Sequence, residues 1–186
     1  MQRSDDHKFL EEAALRLGAA GAKIIPARDV IVENRVALKC RVGCPSYGTK
    51  LNCPPNVPTP DEFRKILCEY RSAMVVKLAP PSMNELKASS LASYKEYYKR
   101  SLSVMLELEK AAFNGGFAFS TAFFCGTCML CDECNMEKGM CLNPTMARIS
   151  AEAVGINVIK TAEKAGMAVK FPVEKIPGPM AILLID

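Results

Sequence analysis

Residues 117–141, FAFSTAFFCGTCMLCDECNMEKGMC, join a strongly apolar segment to a run of cysteines. The aromatic side chains of 117–124 predict a β-strand. That strand leads into five of the chain's nine cysteines, the first four at a strict three-residue step: Cys125, Cys128, Cys131, Cys134 and Cys141. Thiolates crowded in this way repel one another unless a metal neutralises them. The sequence therefore predicts a metal-binding loop at the end of a strand.

The spacing of this run favours iron over zinc. Iron–sulfur cubanes are held by C-x2-C-x2-C runs together with a further thiolate. Structural zinc sites usually take their cysteines as two separated C-x2-C pairs. We therefore expect a [4Fe-4S] cluster here, with zinc as the alternative. Five cysteines for four positions leave one that is spare or that serves a second site.

A second group of cysteines lies upstream in residues 39–58, KCRVGCPSYGTKLNCPPNVP. Its three members have C-x3-C-x8-C spacing: Cys40, Cys44 and Cys53. The prolines around them stiffen the loop, which lowers the entropy lost when ligands are held in place. Three thiolates are one short of a closed cluster, so the fourth ligand is Cys68, Cys125 or a group from outside the protein. An iron left open in this way acts as a Lewis acid.

The segments between these loops predict an α/β or α+β fold. We expect a mixed β-sheet of about 4–6 strands packed with helices, and two cysteine-rich metal-binding loops. The predicted strands cover one or two segments within 23–38, and 72–79, 117–124, 168–173 and 180–185. The predicted helices cover 4–17, 60–70, a long segment from Ser82 and Glu85 to Gly115, 145–154 and 157–165. Residues 1–186 are expected to form a single domain, with the metal-binding loops at about 40–58 and 125–144.

Composition and charge exclude several classes of function. The net charge is only +4, and the Lys and Arg residues are scattered, so nucleic-acid binding is not expected. No apolar segment is long enough to span a membrane, and the N-terminus lacks the apolar core of a signal peptide. An odd number of cysteines rules out a fully paired disulfide framework in the monomer. A cytoplasmic protein with reduced thiols is therefore expected.

Few other residues suggest chemistry, and no catalytic residue can be assigned. His7 is the only histidine, and its charged neighbours predict a solvated side chain. This argues against histidine-based zinc hydrolysis and against a Cys–His nucleophile. Tyr47 and Lys50 lie inside the upstream loop and are candidates to line a substrate space. The chain contains neither a dinucleotide-binding fingerprint nor a P-loop.

The chain resembles a family of uncharacterised, cysteine-rich predicted metal-binding proteins found mainly in anaerobes. The resemblance lies in KCRVGCPSYGTKLNCPP, in DEFRKILCEYRSAMVVKL and in the segment from CMLCDECNMEKGMC to residue 166. It implies metal binding by two sets of ligands: Cys40, Cys44 and Cys53, and Cys128, Cys131, Cys134 and Cys141. Cys68 and Cys125 are additions to the family pattern. Where the family usually has a basic residue, histidine and proline, this chain has Leu142, Asn143 and Pro144.

Three functions are compatible with these patterns. The first is an oxygen-sensitive iron–sulfur protein with one or two [4Fe-4S] clusters, which transfers electrons to a redox partner protein or senses redox state. The second is an enzyme that uses an open three-cysteine cluster on a small-molecule substrate, in sulfur removal or dehydration. The third is a binding module stabilised by zinc.

Overall fold

The computed structural model describes residues 7–84, 90–169 and 178–186. Four strands form one sheet in the order β1-β2-β4-β3, and every neighbouring pair of strands is antiparallel. The strands are β1 (Gly21–Pro26), β2 (Ser72–Lys77), β3 (Thr121–Phe123) and β4 (Met180–Leu184). Among the described residues, the one parallel pairing is an isolated bridge between Phe124 and Ser150. The predicted α+β fold is confirmed.

Helices cover both faces of this sheet. The α-helices are α1 (Lys8–Arg16), α2 (Asn34–Gly43), α3 (Pro60–Leu67), α4 (Leu91–Asn114) and α5 (Val158–Lys164). Two 3-10 turns are formed by Ala27–Asp29 and Glu152–Val154. In the described parts of the chain, no helix has both the length and the apolar character needed to cross a membrane.

The sheet has two apolar faces because successive side chains of a strand point to opposite sides. Met74 and Leu183 face α1 and α4 in one cluster of buried residues. Val75 and Ile182 face α3 and α5 in the other. All four of these side chains are fully buried, so β2 and β4 form the centre of the core between two helical layers.

Local helix signals in the sequence agree with the structure at α3. The Thr59 hydroxyl accepts a hydrogen bond from the Glu62 N–H at 3.3 Å, and the Glu62 carboxylate accepts one from the Thr59 N–H at 2.8 Å. Pro60 occupies the first turn. This reciprocal capping box fixes the point at which the upstream loop ends.

The prediction of strand structure up to residue 38 is wrong over its second half. Residues Asn34–Gly43 form α2, which places Cys40 in its last turn rather than after a strand. No side chain of α2 is buried, so this segment differs from the buried strands at the centre of the core. The carboxylate of Glu33, the residue just before the helix, accepts hydrogen bonds from the side chains of Arg35, Asn157 and Lys160.

The prediction of a solvated His7 is also wrong. Its side chain is 2% exposed, and the ring stacks on Phe117 with 4.8 Å between ring centroids. Its Nε2 lies 3.6 Å from Oδ1 of Asp186, at the opposite end of the chain. Local sequence could not indicate this burial, because it depends on the position of the C-terminal segment.

The remaining differences concern element boundaries. Of the helix predicted at 145–154, only the 3-10 turn Glu152–Val154 is formed, and Gly155 ends it in the left-handed conformation at φ +86°. The long helix begins at Leu91 with Ser90 as its cap. The predicted capping residue Glu85 and most of the strand predicted at 168–173 lie outside the described residues.

Candidate metal centre

Four cysteines of the downstream loop border one cavity of about 280 Å³. They are Cys128, Cys131, Cys134 and Cys141. The upstream loop closes one side of this cavity with residues 50–52, and the segment 142–149 closes another. We call it the downstream cavity.

The three upstream cysteines border a second cavity, also of about 280 Å³. Helix α2 positions two of them, since the N–H of Cys44 donates to the carbonyl of Cys40 at 3.3 Å. Cys53 is buried and follows a tight turn, in which its N–H donates to the carbonyl of Lys50 at 3.2 Å. The remaining lining of this upstream cavity includes Lys39, Tyr47, Thr127, Ser150 and Glu152.

The two cavities are neighbours. Thr127 lines the upstream cavity, and the next residue, Cys128, lines the downstream one. The loops also contact each other directly, because the N–H of Leu51 donates to the sulfur of Cys134 at 3.5 Å. The side-chain amide of Asn52 donates to the carbonyl of Arg148 at 2.8 Å.

Polar donors reach the sulfurs of the downstream cavity. The side-chain amide of Asn143 donates to the sulfur of Cys131 at 3.0 Å, and its backbone N–H donates to that of Cys141 at 3.4 Å. Arg148 also lines this cavity, and its guanidinium is held by the carboxylate of Glu109, with Nε 2.7 Å from Oε2. Because Glu109 balances the charge of Arg148, it is the N–H donors of Asn143 that favour a negatively charged occupant.

Burial keeps several of the thiols protonated in the absence of metal. It raises the pKa of Cys53 to about 11, with a further contribution from the neighbouring Cys44. Burial, followed by the charges of Cys44 and Glu152, also raises the pKa of Cys40. A metal that binds these sulfurs must therefore displace their protons.

Within residues 7–84, 90–169 and 178–186, no three cysteine, histidine or acidic side chains converge as the ligands of one metal ion. A zinc ion would require Zn–S distances of about 2.3 Å to four ligands at once. The thiols instead surround two open volumes. On the wall of the upstream cavity, the buried hydroxyl of Thr127 interacts with the thiol of Cys53 and lowers its pKa against the larger effect of burial.

The two further candidate ligands do not line either cavity. Cys125 is half-buried against the α1–α4 side of the core and is not among the residues that line either cavity. Burial, followed by the charge of Glu152, raises its pKa to about 12. Cys68 is exposed at the end of α3. A role for either thiol as the fourth upstream ligand remains a prediction.

Tyr47 and Lys50 both lie on cavity walls, Tyr47 on the upstream one and Lys50 on the downstream one. A substrate role for either remains a prediction. Sequence reasoning did not identify Glu152 or Thr127, which carry no recognisable motif. For Asn143 the sequence does offer a signal, because this residue stands where the family usually has histidine and lies next to a cysteine-rich segment.

An α+β chain whose cysteines border two adjacent cavities has the organisation of a cysteine-rich metal-binding protein. The model of the family described as "Predicted metal-binding protein (DUF2284)" matches residues 23–185. The chain belongs to this family, and the resemblance to predicted metal-binding proteins is confirmed. No curated protein and no solved structure matches the chain.

Proposed function

We propose that this protein binds two [4Fe-4S] clusters in a reducing compartment and transfers electrons between them and a redox partner. Cys128, Cys131, Cys134 and Cys141 are the ligands of the downstream cluster, and Cys40, Cys44 and Cys53 are thiolate ligands of the upstream one. One observation carries the proposal: seven of the nine cysteines divide into two sets, and each set borders its own cavity of about 280 Å³.

The arrangement of the sulfurs supports a polynuclear cluster over zinc. In a cubane each cysteine binds a different iron, so the sulfurs surround the inorganic core instead of meeting at one ion. Cavities bordered by thiols fit this requirement. The absence of any convergent single-ion site within the described residues agrees with it.

Polar residues around the downstream cavity would stabilise a reduced cluster. N–H groups of Asn143 and Leu51 point at ligand sulfurs, and such bonds stabilise the additional negative charge of a reduced cluster. Arg148 lies beside the same cavity, where its charge is balanced by Glu109. The clusters supply one-electron redox chemistry when bound.

A second candidate function is an enzyme that acts at the upstream cluster. It is favoured by the fact that only three cysteines line that cavity, so one iron lacks a thiolate. An iron of this kind can bind and polarise a small substrate in sulfur removal or dehydration. The neighbouring phenol of Tyr47 and ammonium of Lys39 would then contact the substrate.

Anaerobic purification with iron, sulfide and zinc analysis tests the proposal. We expect about eight irons and a matching amount of sulfide per chain. Cys128→Ser should remove about half of the iron, whereas Cys68→Ser, at an exposed position outside both cavities, should leave the content unchanged. Stoichiometric zinc without sulfide contradicts the proposal and favours a zinc-stabilised module.

Electron paramagnetic resonance separates electron transfer from enzyme activity. The spectrum of the reduced protein is recorded with and without cyanide or a small thiol, which bind an accessible iron. A change confined to one cluster favours the enzyme. Unchanged spectra, together with reduction by a low-potential donor protein, favour electron transfer.

A further inference from the structure

Glu152 is an acidic side chain on the wall of the upstream cavity, where a fourth cysteine is missing. It begins the 3-10 turn Glu152–Val154, and this turn packs against α2, the helix that carries Cys40. The charge of Glu152 raises the pKa of Cys40, so the carboxylate lies within electrostatic reach of that thiol. It therefore shares a cavity wall with all three upstream ligands.

Backbone pairing fixes the position of Glu152 relative to the cysteine loop. The N–H of Phe124 donates to the carbonyl of Ile149 at 2.9 Å, and the N–H of Ala151 donates to the carbonyl of Phe124 at 2.7 Å. These two bonds join the end of β3 to the segment just before Glu152. Backbone hydrogen bonds therefore fix the position of the segment that leads into Glu152.

One oxygen of the Glu152 carboxylate has a partner. The hydroxyl of Ser150, also on the cavity wall, donates to Oε2 at 2.5 Å. Among the described residues, Oε1 accepts no hydrogen bond and Glu152 forms no ion pair. Oε1 is therefore available to bind a metal ion in the upstream cavity.

We propose that the Glu152 carboxylate is the fourth ligand of the upstream cluster, bound through Oε1 and exchangeable with small donor ligands. This rests on the proposed function, since it assumes that a cluster fills the upstream cavity. A carboxylate oxygen is a harder ligand than a thiolate and holds iron less firmly. Ser150 keeps the displaced carboxylate beside the cavity when a small ligand takes its place.

This assignment also explains why Cys125 is not the fourth ligand. Its thiol packs on the α1–α4 side of the sheet, outside the cavity, whereas Glu152 lies on the cavity wall. The two side chains are near each other, because the Glu152 charge also raises the pKa of Cys125. The carboxylate is therefore near both Cys125 and the upstream cavity, but of these two side chains only Glu152 lines the cavity.

The test uses the full chain reconstituted with ⁵⁷Fe and examined by Mössbauer spectroscopy. The wild type should show one iron subsite whose parameters differ from those of the thiolate-ligated irons. Glu152→Gln and Glu152→Ala should change that subsite and should lose iron on mild ferricyanide oxidation about 10- to 100-fold faster. Glu163→Gln, an exposed carboxylate on α5, is the matched control and should behave as the wild type.

Chemical rescue separates ligation from a structural role. Acetate added to Glu152→Ala should restore the wild-type subsite and slow the loss of iron, which a packing defect would not permit. Circular dichroism establishes that each variant is folded.

Two results overturn the assignment. One is a Glu152→Gln protein with the subsite and oxidation rate of the wild type. The other is Cys125→Ser producing the changes expected of Glu152→Gln. In both cases iron and sulfide are still bound, so the proposed function stands. If no variant and no wild-type preparation holds iron and sulfide, the proposed function fails together with this inference.

Discussion

The backbone N–H of Leu51 donates a hydrogen bond to the sulfur of Cys134 across 3.5 Å. Leu51 belongs to the upstream loop and Cys134 to the downstream loop, 83 positions later in the chain. Beside this contact, Asn52 reaches the carbonyl of Arg148. Each loop therefore forms part of the other's binding site, and neither cavity can be complete without both loops.

Asn52→Ala should weaken the contact between the upstream loop and the segment that carries Arg148. The change removes the bond to the carbonyl of Arg148, so we expect the free energy of unfolding to fall by about 1 kcal/mol. Urea unfolding of the metal-free protein measures this. Asn56→Ala is the control, because the Asn56 amide bonds only within its own loop, to the carbonyl of Lys50 at 3.2 Å. Equal losses for the two variants would contradict the role given to Asn52.

Asn143→Leu should lower the reduction potential of the downstream cluster. The variant lacks the N–H that points at the sulfur of Cys131, and this bond favours the reduced, more negative state. The loss of about one hydrogen bond corresponds to a shift on the order of 60 mV for a one-electron couple. A redox titration followed by electron paramagnetic resonance measures the shift. Asn114→Leu, at the exposed end of α4, should show none.

Glu33 should make the stability of the fold sensitive to acid. Hydrogen bonds from Arg35, Lys160 and Asn157 lower its pKa from 4.5 to about 2. Because the folded-state pKa is the lower one, this stabilisation is fully present above pH 4.5 and is lost as the pH falls towards 2. Glu33→Gln should therefore unfold more easily than the wild type at pH 7, and the difference should shrink towards pH 2. A constant difference across that range, in denaturant titrations, would be inconsistent with this carboxylate's role.

Gly155→Ala should destabilise the turn that carries Glu152. Gly155 has φ +86°, and an added Cβ would lie 3.0 Å from two side-chain carbons of Pro60. The left-handed conformation alone costs an L-residue about 1–2 kcal/mol, and the contact with Pro60 adds to this. Gly166→Ala measures the cost of the left-handed conformation alone, because Gly166 has φ +72° and an added Cβ would meet nothing within 4 Å. Thermal unfolding should show the larger loss for Gly155→Ala.

The features that sequence predicted well are those fixed by neighbouring residues. The capping box at Thr59 and the buried strand β2 depend on side chains within a few positions of one another. The division of the cysteines into two sets likewise follows from their spacing along two loops. The assignment of these thiols as metal ligands remains a prediction.

The features that sequence could not predict depend on distant pairings. Glu33, at the start of the unpredicted helix α2, accepts hydrogen bonds from Lys160 of α5 and from Asn157, the N-cap of α5, far along the chain. Glu152 reaches the upstream cavity only because the end of β3 pairs with the segment that precedes it. His7 is buried because the C-terminus returns to the start of α1. No local pattern contains this information.

Thr127 and Cys128 are adjacent in the chain, yet each borders a different cavity. Charge placed in one cavity is therefore felt in the other, as the influence of Cys128 on the pKa of Cys53 already indicates. If both cavities hold redox groups, as proposed, the two would titrate as an anticooperative pair: the first electron makes the second harder to add. A protein built in this way would release its two electrons at two different potentials, and a partner could draw one without taking the other.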